Sequence, residues 1–285
     1  MSPLLRMEVG RALHGRPFAL VLVMGCLLAI VAAVTSYIGY LQTGALERMD
    51  VTNQFTNQFS QSSFTLWMPL SVMHSVPNMF FFTVPLLIGL GYAWSWRADM
   101  RNGYAQSVLS RTKRSRFYCA KLVAAFIASG LVVAVPLIIN FAIVACLMPS
   151  TALDIGDVVY TGLGTRVFIS DVLYQNPFLY VLVRTAIDFV LAGLWSTAVL
   201  ALSLFIRGFV AIIALPYIGA VTTKYISEAL YALVSMNGSS LTILDQLKAR
   251  GDQFYYTGWA LLGDIVVLLL ITVAIPLCMK RRDVL

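Results

Sequence analysis

The polar and ionisable residues inside apolar stretches are the first candidates for chemistry in this sequence. Arg184 and Asp188 lie four residues apart, so a helix would place them on one face within pairing distance. Asp264 and Asn140 are polar residues within two further apolar stretches. Because charge in hydrocarbon is costly, such residues mark a substrate pathway or a polar contact between helices. We expect an ion pair at the membrane boundary for Arg184 and Asp188, and hydrogen-bonded helix contacts for Asp264 and Asn140.

Residues for hydrolytic, redox or metal chemistry are sparse. The chain has two histidines, His14 and His74, and neither belongs to an HExxH motif. The four cysteines form no CxxC pair, and they are Cys26, Cys119, Cys146 and Cys278. The sequence contains neither G-x-S-x-G nor the phosphate-binding G-x-x-x-x-G-K-[ST] motif. We therefore expect no catalytic residue, no metal and no cofactor bound by this chain, and any use of ATP would need a second polypeptide.

Composition predicts the elements that carry these residues. Of 285 residues, 59% are hydrophobic and 12% charged, and the mean hydropathy is +0.82. Several uncharged apolar stretches reach the roughly 20 residues that a membrane-spanning helix needs. The fold predicted is all-α and integral to the membrane, with an interfacial helix over residues 1–17 and six spans. The spans are about 18–40, 77–96, 122–148, 178–206, 209–223 and 258–279.

Two of these spans have alternative interpretations. The first is longer than the 7–15 apolar residues of a signal peptide, so we expect it to be retained. The fifth is short and contains Pro216. It could instead continue through "KYISEALYALVSM", where Lys224 and Glu228 lie four residues apart.

The distribution of charge predicts the orientation. Six spans would place 14 of the 20 Lys and Arg residues on the side of both termini, and 10 of the 13 acids on the other side. Short cytoplasmic loops are rich in Lys and Arg, so both termini are expected in the cytoplasm. This asymmetry also explains the net charge of +7 without a nucleic-acid partner. Between the fifth and sixth spans, "ISEALYALVSM" and "LTILDQL" predict short interfacial helices on the outside.

The stretch from residue 97 to 121, "RADMRNGYAQSVLSRTKRSRFYCAK", holds seven basic residues and one acid. After Gly103, apolar residues recur at helical spacing, with Gln106 and Ser107 on the other side. These apolar residues are Tyr104, Ala105, Val108 and Leu109. The pattern predicts a short amphipathic helix on the cytoplasmic face, held near anionic lipid by its cations.

The order of residues in this stretch resembles the loop between the second and third spans of ABC-2 type ATP-binding cassette permease subunits. Asp99, Gly103, "YAQSVLS", Arg116 and Lys121 occupy the places of that family's acid, glycine, coupling helix and basic run. The amphipathic N-terminal segment "LLRMEVGRALHGRP", the single basic residue Arg207 between spans four and five, and the end "KRRDVL" extend the resemblance over most of the chain.

The resemblance implies a single permease domain over residues 1–285, in a bacterial plasma membrane, that exports a peptide, a lipid-like molecule or a hydrophobic drug. Two cytoplasmic ATPase subunits would bind ATP and Mg²⁺, and a second copy or a related permease would complete the path. The residues that it assigns to ATPase coupling are Asp99, Arg101, Gly103, Tyr104, Val108, Leu109 and Arg116. An ion-driven secondary transporter, a membrane-embedded enzyme and an assembly subunit remain as alternatives.

Overall fold

A computed structural model describes residues 3–49, 62–71, 75–151, 153, 169–206, 208–234, 242–249 and 258–280. All regular structure within these ranges is helical. The predicted link at Arg207 and the predicted tail after Lys280 lie outside the described residues, as do residues 50–61 and 72–74 of the predicted external segment 41–76 and residues 152 and 154–168 of the segment 149–177.

Eleven α-helices and one π-helical turn make up the described chain. In order the helices are α1 (Pro3–Leu13), α2 (Arg16–Met49), α3 (Ser75–Ile88), α4 (Ser95–Arg101), α5 (Tyr104–Leu109), α6 (Arg114–Leu147), α7 (Ser170–Gln175), α8 (Pro177–Leu202), α9 (Phe209–Val234), α10 (Ile243–Gln246) and α11 (Gly258–Lys280). The π-helical turn Gly89–Ala93 connects α3 to α4.

Within the residues that the structure describes, five stretches of helix are long and apolar enough to cross a membrane. They are Arg16–Gln42, Ser75–Arg101, Arg114–Leu147, Pro177–Leu202 and Phe209–Ala229. The apolar part described in α11, Gly258–Ala274, is shorter. Large apolar side chains remain exposed along these helices, including Leu20 at 72% and Val210 at 74%. Such surfaces need lipid or another apolar partner, and the chain is therefore a multi-pass membrane protein in its architecture.

Several helices differ in extent from the sequence prediction. α6 begins at Arg114 rather than near residue 122, so the last eight residues of the basic stretch, with three of its seven basic residues, lie on its first two turns. Lys and Arg favour helices, and their long stems let the charge reach water from the end of a span.

α9 continues through Lys224 to Val234, as the alternative interpretation predicted, and Lys224 pairs with Glu228 at 3.6 Å. "ISEALYALV" is thus part of α9, and the short helix found between α9 and α11 is α10.

The pairing of α6 with α8 forms the centre of the bundle. Phe189 lies against Gly130, where an added Cβ would come within 2.5 Å of the ring, and Phe126 lies against Gly193 at 2.4 Å. The two rings also meet edge to face, with centroids 5.7 Å apart. In a membrane, such close packing replaces the hydrophobic effect as the source of helix association. The pairing of 130 with 189 and of 126 with 193 makes the two helices antiparallel.

The two ends of this bundle differ in character. At the end of α6, Phe141 packs on Phe178 at the start of α8, with centroids 6.1 Å apart. The segment 62–71 also lies there, and its Phe64 and Trp67 are buried. We call this the aromatic end. At the other end, α1, α4 and α5 surround the start of α6, and we call this the basic end.

Candidate functional site

The basic stretch turns sharply before α5. α4 ends at Arg101, and Gly103 adopts a left-handed backbone conformation with φ of 73°. A Cβ at Gly103 would meet nothing within 4 Å, so the backbone conformation rather than space favours glycine here. The turn reverses the chain and lays α5 beside the start of α6.

The amphipathic pattern of α5 positions its two faces. Ala105 is buried, and the half-buried Tyr104, Val108 and Leu109 pack on the apolar cluster that includes Ala12 and Phe117. The opposite face is exposed and polar, and it carries Gln106, Ser107 and Ser110. The apolar side of α5 therefore holds the helix to its own chain, and the polar side is the surface open to a partner.

Beneath α5 lies a buried ion network that joins three helices, and we call it the Glu8 network. Glu8 comes from α1, Asp99 from α4 and Lys121 from α6, and at most 4% of each residue is exposed. The Lys121 ammonium pairs with Asp99 Oδ2 and lies 3.3 Å from Glu8 Oε2. Ser95 Oγ, at 3.5 Å, accepts a further hydrogen bond from the ammonium.

Arg11 completes the Glu8 network from the solvent side. Its guanidinium donates to both oxygens of Asp99, at 2.9 and 3.4 Å, and to Glu8 Oε1 at 3.4 Å. Burial lowers the pKa of Arg11, but the hydrogen bond to Asp99 and the charges of Asp99 and Glu8 raise it by more, so the net shift is upward. Two acids and two bases thus balance in charge, which a buried ionic cluster requires.

Two tyrosines bind the remaining acceptor sites of Glu8. Tyr104 of α5 donates to Oε1 at 2.8 Å, and Tyr92 of the π-helical turn donates to Oε2 at 2.9 Å. The guanidinium of Arg11 also stacks over the Tyr104 ring, 3.9 Å from its centroid. Burial and the hydrogen bond to Glu8 raise the pKa of Tyr104 to about 12. The phenol therefore stays a proton donor, and it connects α5 directly to the buried charges.

Apart from Gly103 in the turn, the predicted coupling residues divide into three groups. Asp99 and Tyr104 belong to the Glu8 network, while Val108 and Leu109 face the interior beside Ala105. Arg101 and Arg116 are exposed, the second on the first turn of α6. Most of the basic stretch is exposed with them: Arg111, Lys113 and Arg114.

Sequence reasoning missed three charged members of the Glu8 network, and Tyr92 with them. Glu8 and Arg11 entered the prediction only as charges that orient the chain, and Lys121 entered it also as part of the basic run in the family resemblance. A signal was present, because Glu8 lies between Met7 and Val9 on an amphipathic helix and Lys121 begins an apolar run. A charge buried in such a position needs an oppositely charged or hydrogen-bonding partner, but the sequence does not identify that partner.

The polar residues predicted inside the spans lie apart from the Glu8 network. Asn140 donates to the carbonyl of Ala29 at 2.9 Å and accepts from the amide of Met68 at 3.1 Å, which ties α6 to α2 and to segment 62–71. Arg184 pairs with Asp188 at 2.7 Å, and both are buried.

The Arg184 and Asp188 pair also contacts α10. Arg184 donates to the carbonyl of Gln246 at 2.5 Å, so the pair holds α10 against α8. Asp264 lies on α11, and Thr272 further along that helix is bonded to Thr197 of α8 at 3.1 Å. The four predicted residues are therefore brought to three separate places.

Comparison with known protein families, with characterised proteins and with solved structures gives no match to this chain. The role of the Glu8 network follows from its own chemistry. Its carboxylates are occupied by cations and phenols, and the described residues hold no cluster of three or more His, Cys, Asp or Glu side chains at metal-binding distance. The arrangement is suited to transmitting force between helices.

Proposed function

We propose that this chain is the permease subunit of an ABC-2 type ATP-binding cassette exporter. In this proposal two separate ATPase subunits bind ATP and Mg²⁺ on the cytoplasmic side and drive the spans. A second copy or a related permease completes the path, six spans cross a bacterial plasma membrane, and both termini lie in the cytoplasm. The sequence resemblance and the architecture of five long apolar helices support it.

The observation that carries the proposal is the Glu8 network beneath α5. Tyr104 connects α5 to Glu8 on α1, and Glu8 connects to Lys121 at the start of a 34-residue helix through the bundle. A displacement of α5 is therefore passed to α1 and α6 through buried charged contacts, which are the strong and short-range ones. A coupling element of a permease has to provide this connection.

The surface proposed for ATPase docking is the polar side of α5 with its exposed basic neighbours. Gln106, Ser107, Ser110 and Arg111 lie on it. Val108 and Leu109 support the helix from below, so an acid at either position would disturb the packing of this chain as well as any docking. Substitutions on the exposed side separate the two effects.

The test is whether the protein co-purifies with an ATPase that carries the G-x-x-x-x-G-K-[ST] motif, and whether hydrolysis depends on the permease. We expect both with the wild-type chain in native membranes. Ser107→Trp should weaken recovery of the ATPase by about fivefold or more, because a bulky group at an interface centre costs about 1 kcal/mol or more.

The matched control is Gln175→Trp, an equally exposed position on α7. It should leave ATPase recovery unchanged. If Ser107→Trp and Gln175→Trp recover the ATPase equally, α5 is not the docking helix. If the wild-type chain recovers no such ATPase and transport follows an ion gradient, the chain is a secondary transporter and the proposal fails.

A further inference from the structure

A cavity of about 240 Å³ lies between α8, α9 and α11. Trp195 contributes to its wall from α8, Ala220 from α9 and Leu268 from α11, and Ile243 of α10 also lines it. The lining is almost wholly apolar. Its size lies just below the 300–1,000 Å³ typical of drug-sized ligand sites, so the space suits a small molecule.

One carboxylate belongs to this apolar cavity. Asp264 lines it, and its Oδ2 is buried without a hydrogen-bond partner among the residues that the structure describes. An isolated carboxylate in apolar surroundings costs free energy until a partner supplies hydrogen bonds or positive charge. Arg184 and Asp188, the other ionisable residues predicted within the spans, pair with each other.

The charged groups on the neighbouring elements are engaged with one another. Asp245 of α10 accepts from Lys224 of α9 at 2.6 Å and from Thr242 at 2.8 Å, and Lys224 lies 3.6 Å from Glu228. This group of three charged residues holds two acids and one base. Lys224 is thus engaged by Asp245 and Glu228.

We propose that this cavity binds a small lipophilic cation, with a quaternary or protonated amine beside Asp264 and an apolar body against Trp195 and Leu268. A metal ion would need several oxygen ligands, whereas Asp264 is joined in the lining only by the hydroxyl groups of Thr223 and Thr242. A cation that carries its own apolar surface satisfies both the carboxylate and the walls. The inference rests on the proposed function only for the step from binding to transport.

The probe is benzyltrimethylammonium, and neopentylbenzene, its uncharged carbon isostere, is the reference. Equilibrium dialysis measures both against the full-length protein in lipid nanodiscs without an ATPase, and empty nanodiscs give the background. We expect the cation to bind the protein and the isostere to bind at least about tenfold more weakly, because only the cation pairs with the desolvated carboxylate.

Asp264→Asn removes the charge at nearly constant size and should weaken binding of the cation by about tenfold or more. Asp171→Asn, at an exposed position on α7, removes the same charge elsewhere and should bind like wild type. Ala220→Phe keeps Asp264 but fills the cavity, and it should abolish binding. Thermal unfolding checks that each variant is folded, and Ala220→Phe provides the test if Asp264→Asn is not.

The proposal is overturned if Asp264→Asn or a folded Ala220→Phe retains wild-type affinity, or if the cation and its isostere bind equally. It is also overturned if sodium ions alone compete with the probe at equal concentration. Because binding is measured on the permease chain by itself, its failure is distinct from loss of ATPase recovery in the Ser107→Trp comparison.

Discussion

Lys121 illustrates how a single side chain can hold the basic end together. Its ammonium is fully buried and lies between the carboxylates of Glu8 and Asp99, which come from different helices. Tyr92 and Phe117 place their rings 5.3 and 5.5 Å from the same ammonium. Removing this charge leaves two buried acids with Arg11 as the remaining cation.

We predict that Lys121→Met destabilises the protein by about 3–5 kcal/mol, the usual cost of breaking a buried ion pair from one side. Thermal unfolding of the purified protein in detergent measures the change. Lys113→Met is the matched control, because Lys113 belongs to the same basic stretch but is exposed, and surface charges contribute about 0–1 kcal/mol. Equal melting temperatures for the two variants would contradict the role given to the Glu8 network.

At the scale of elements, α6 and α8 are joined by two reciprocal contacts between a phenylalanine and a glycine. Each helix inserts one phenylalanine ring over a glycine of the other, so the pair is fixed at two levels. Neither glycine can take a methyl group without moving an aromatic ring that is itself packed edge to face.

Gly130→Ala and Gly193→Ala should each destabilise the protein by about 1–3 kcal/mol, the usual cost of overpacking a filled interior. Gly219→Ala on α9 is the control, because an added Cβ there meets nothing within 4 Å and alanine favours a helix by up to about 1 kcal/mol. Thermal unfolding ranks the three variants. If the Gly130→Ala and Gly219→Ala proteins were equally stable, α6 and α8 could move apart at little cost in stability.

The sequence predicted elements better than contacts. The short helix after Gly103 and the two faces of α5 follow from the spacing of Tyr104, Val108 and Leu109, which is local information. The ionic partners of Asp99 could not be predicted, because Lys121 and Arg11 come from other helices. The packing of Phe189 on Gly130 was missed for the same reason, because the sequence around a glycine in a span does not identify the residue that packs against it from another helix.

At the scale of the whole molecule, the charge asymmetry predicts that the basic end faces the cytoplasm. A variant without its four cysteines allows this to be measured with single cysteines at Ser107 on α5 and Gln175 on α7, both exposed. A membrane-impermeant maleimide should label the cysteine of Gln175→Cys in intact cells and that of Ser107→Cys only after permeabilisation. The opposite pattern would invert the orientation, and labelling of both in intact cells would contradict the single span, α6, between the two residues.

Because the Glu8 network is buried, its contacts should depend less on ionic strength than the exposed charges around it. Salt at 0.1 M largely screens interactions between exposed charges that are more than about 10 Å apart, but it acts much less on buried pairs. The Lys121 pairs are buried, whereas Arg111 and Arg114 stand in solvent. A salt titration should therefore separate two kinds of contact. If the proposed ATPase is held by the exposed arginines, it should dissociate first, while α1, α5 and α6 remain joined at higher salt concentrations.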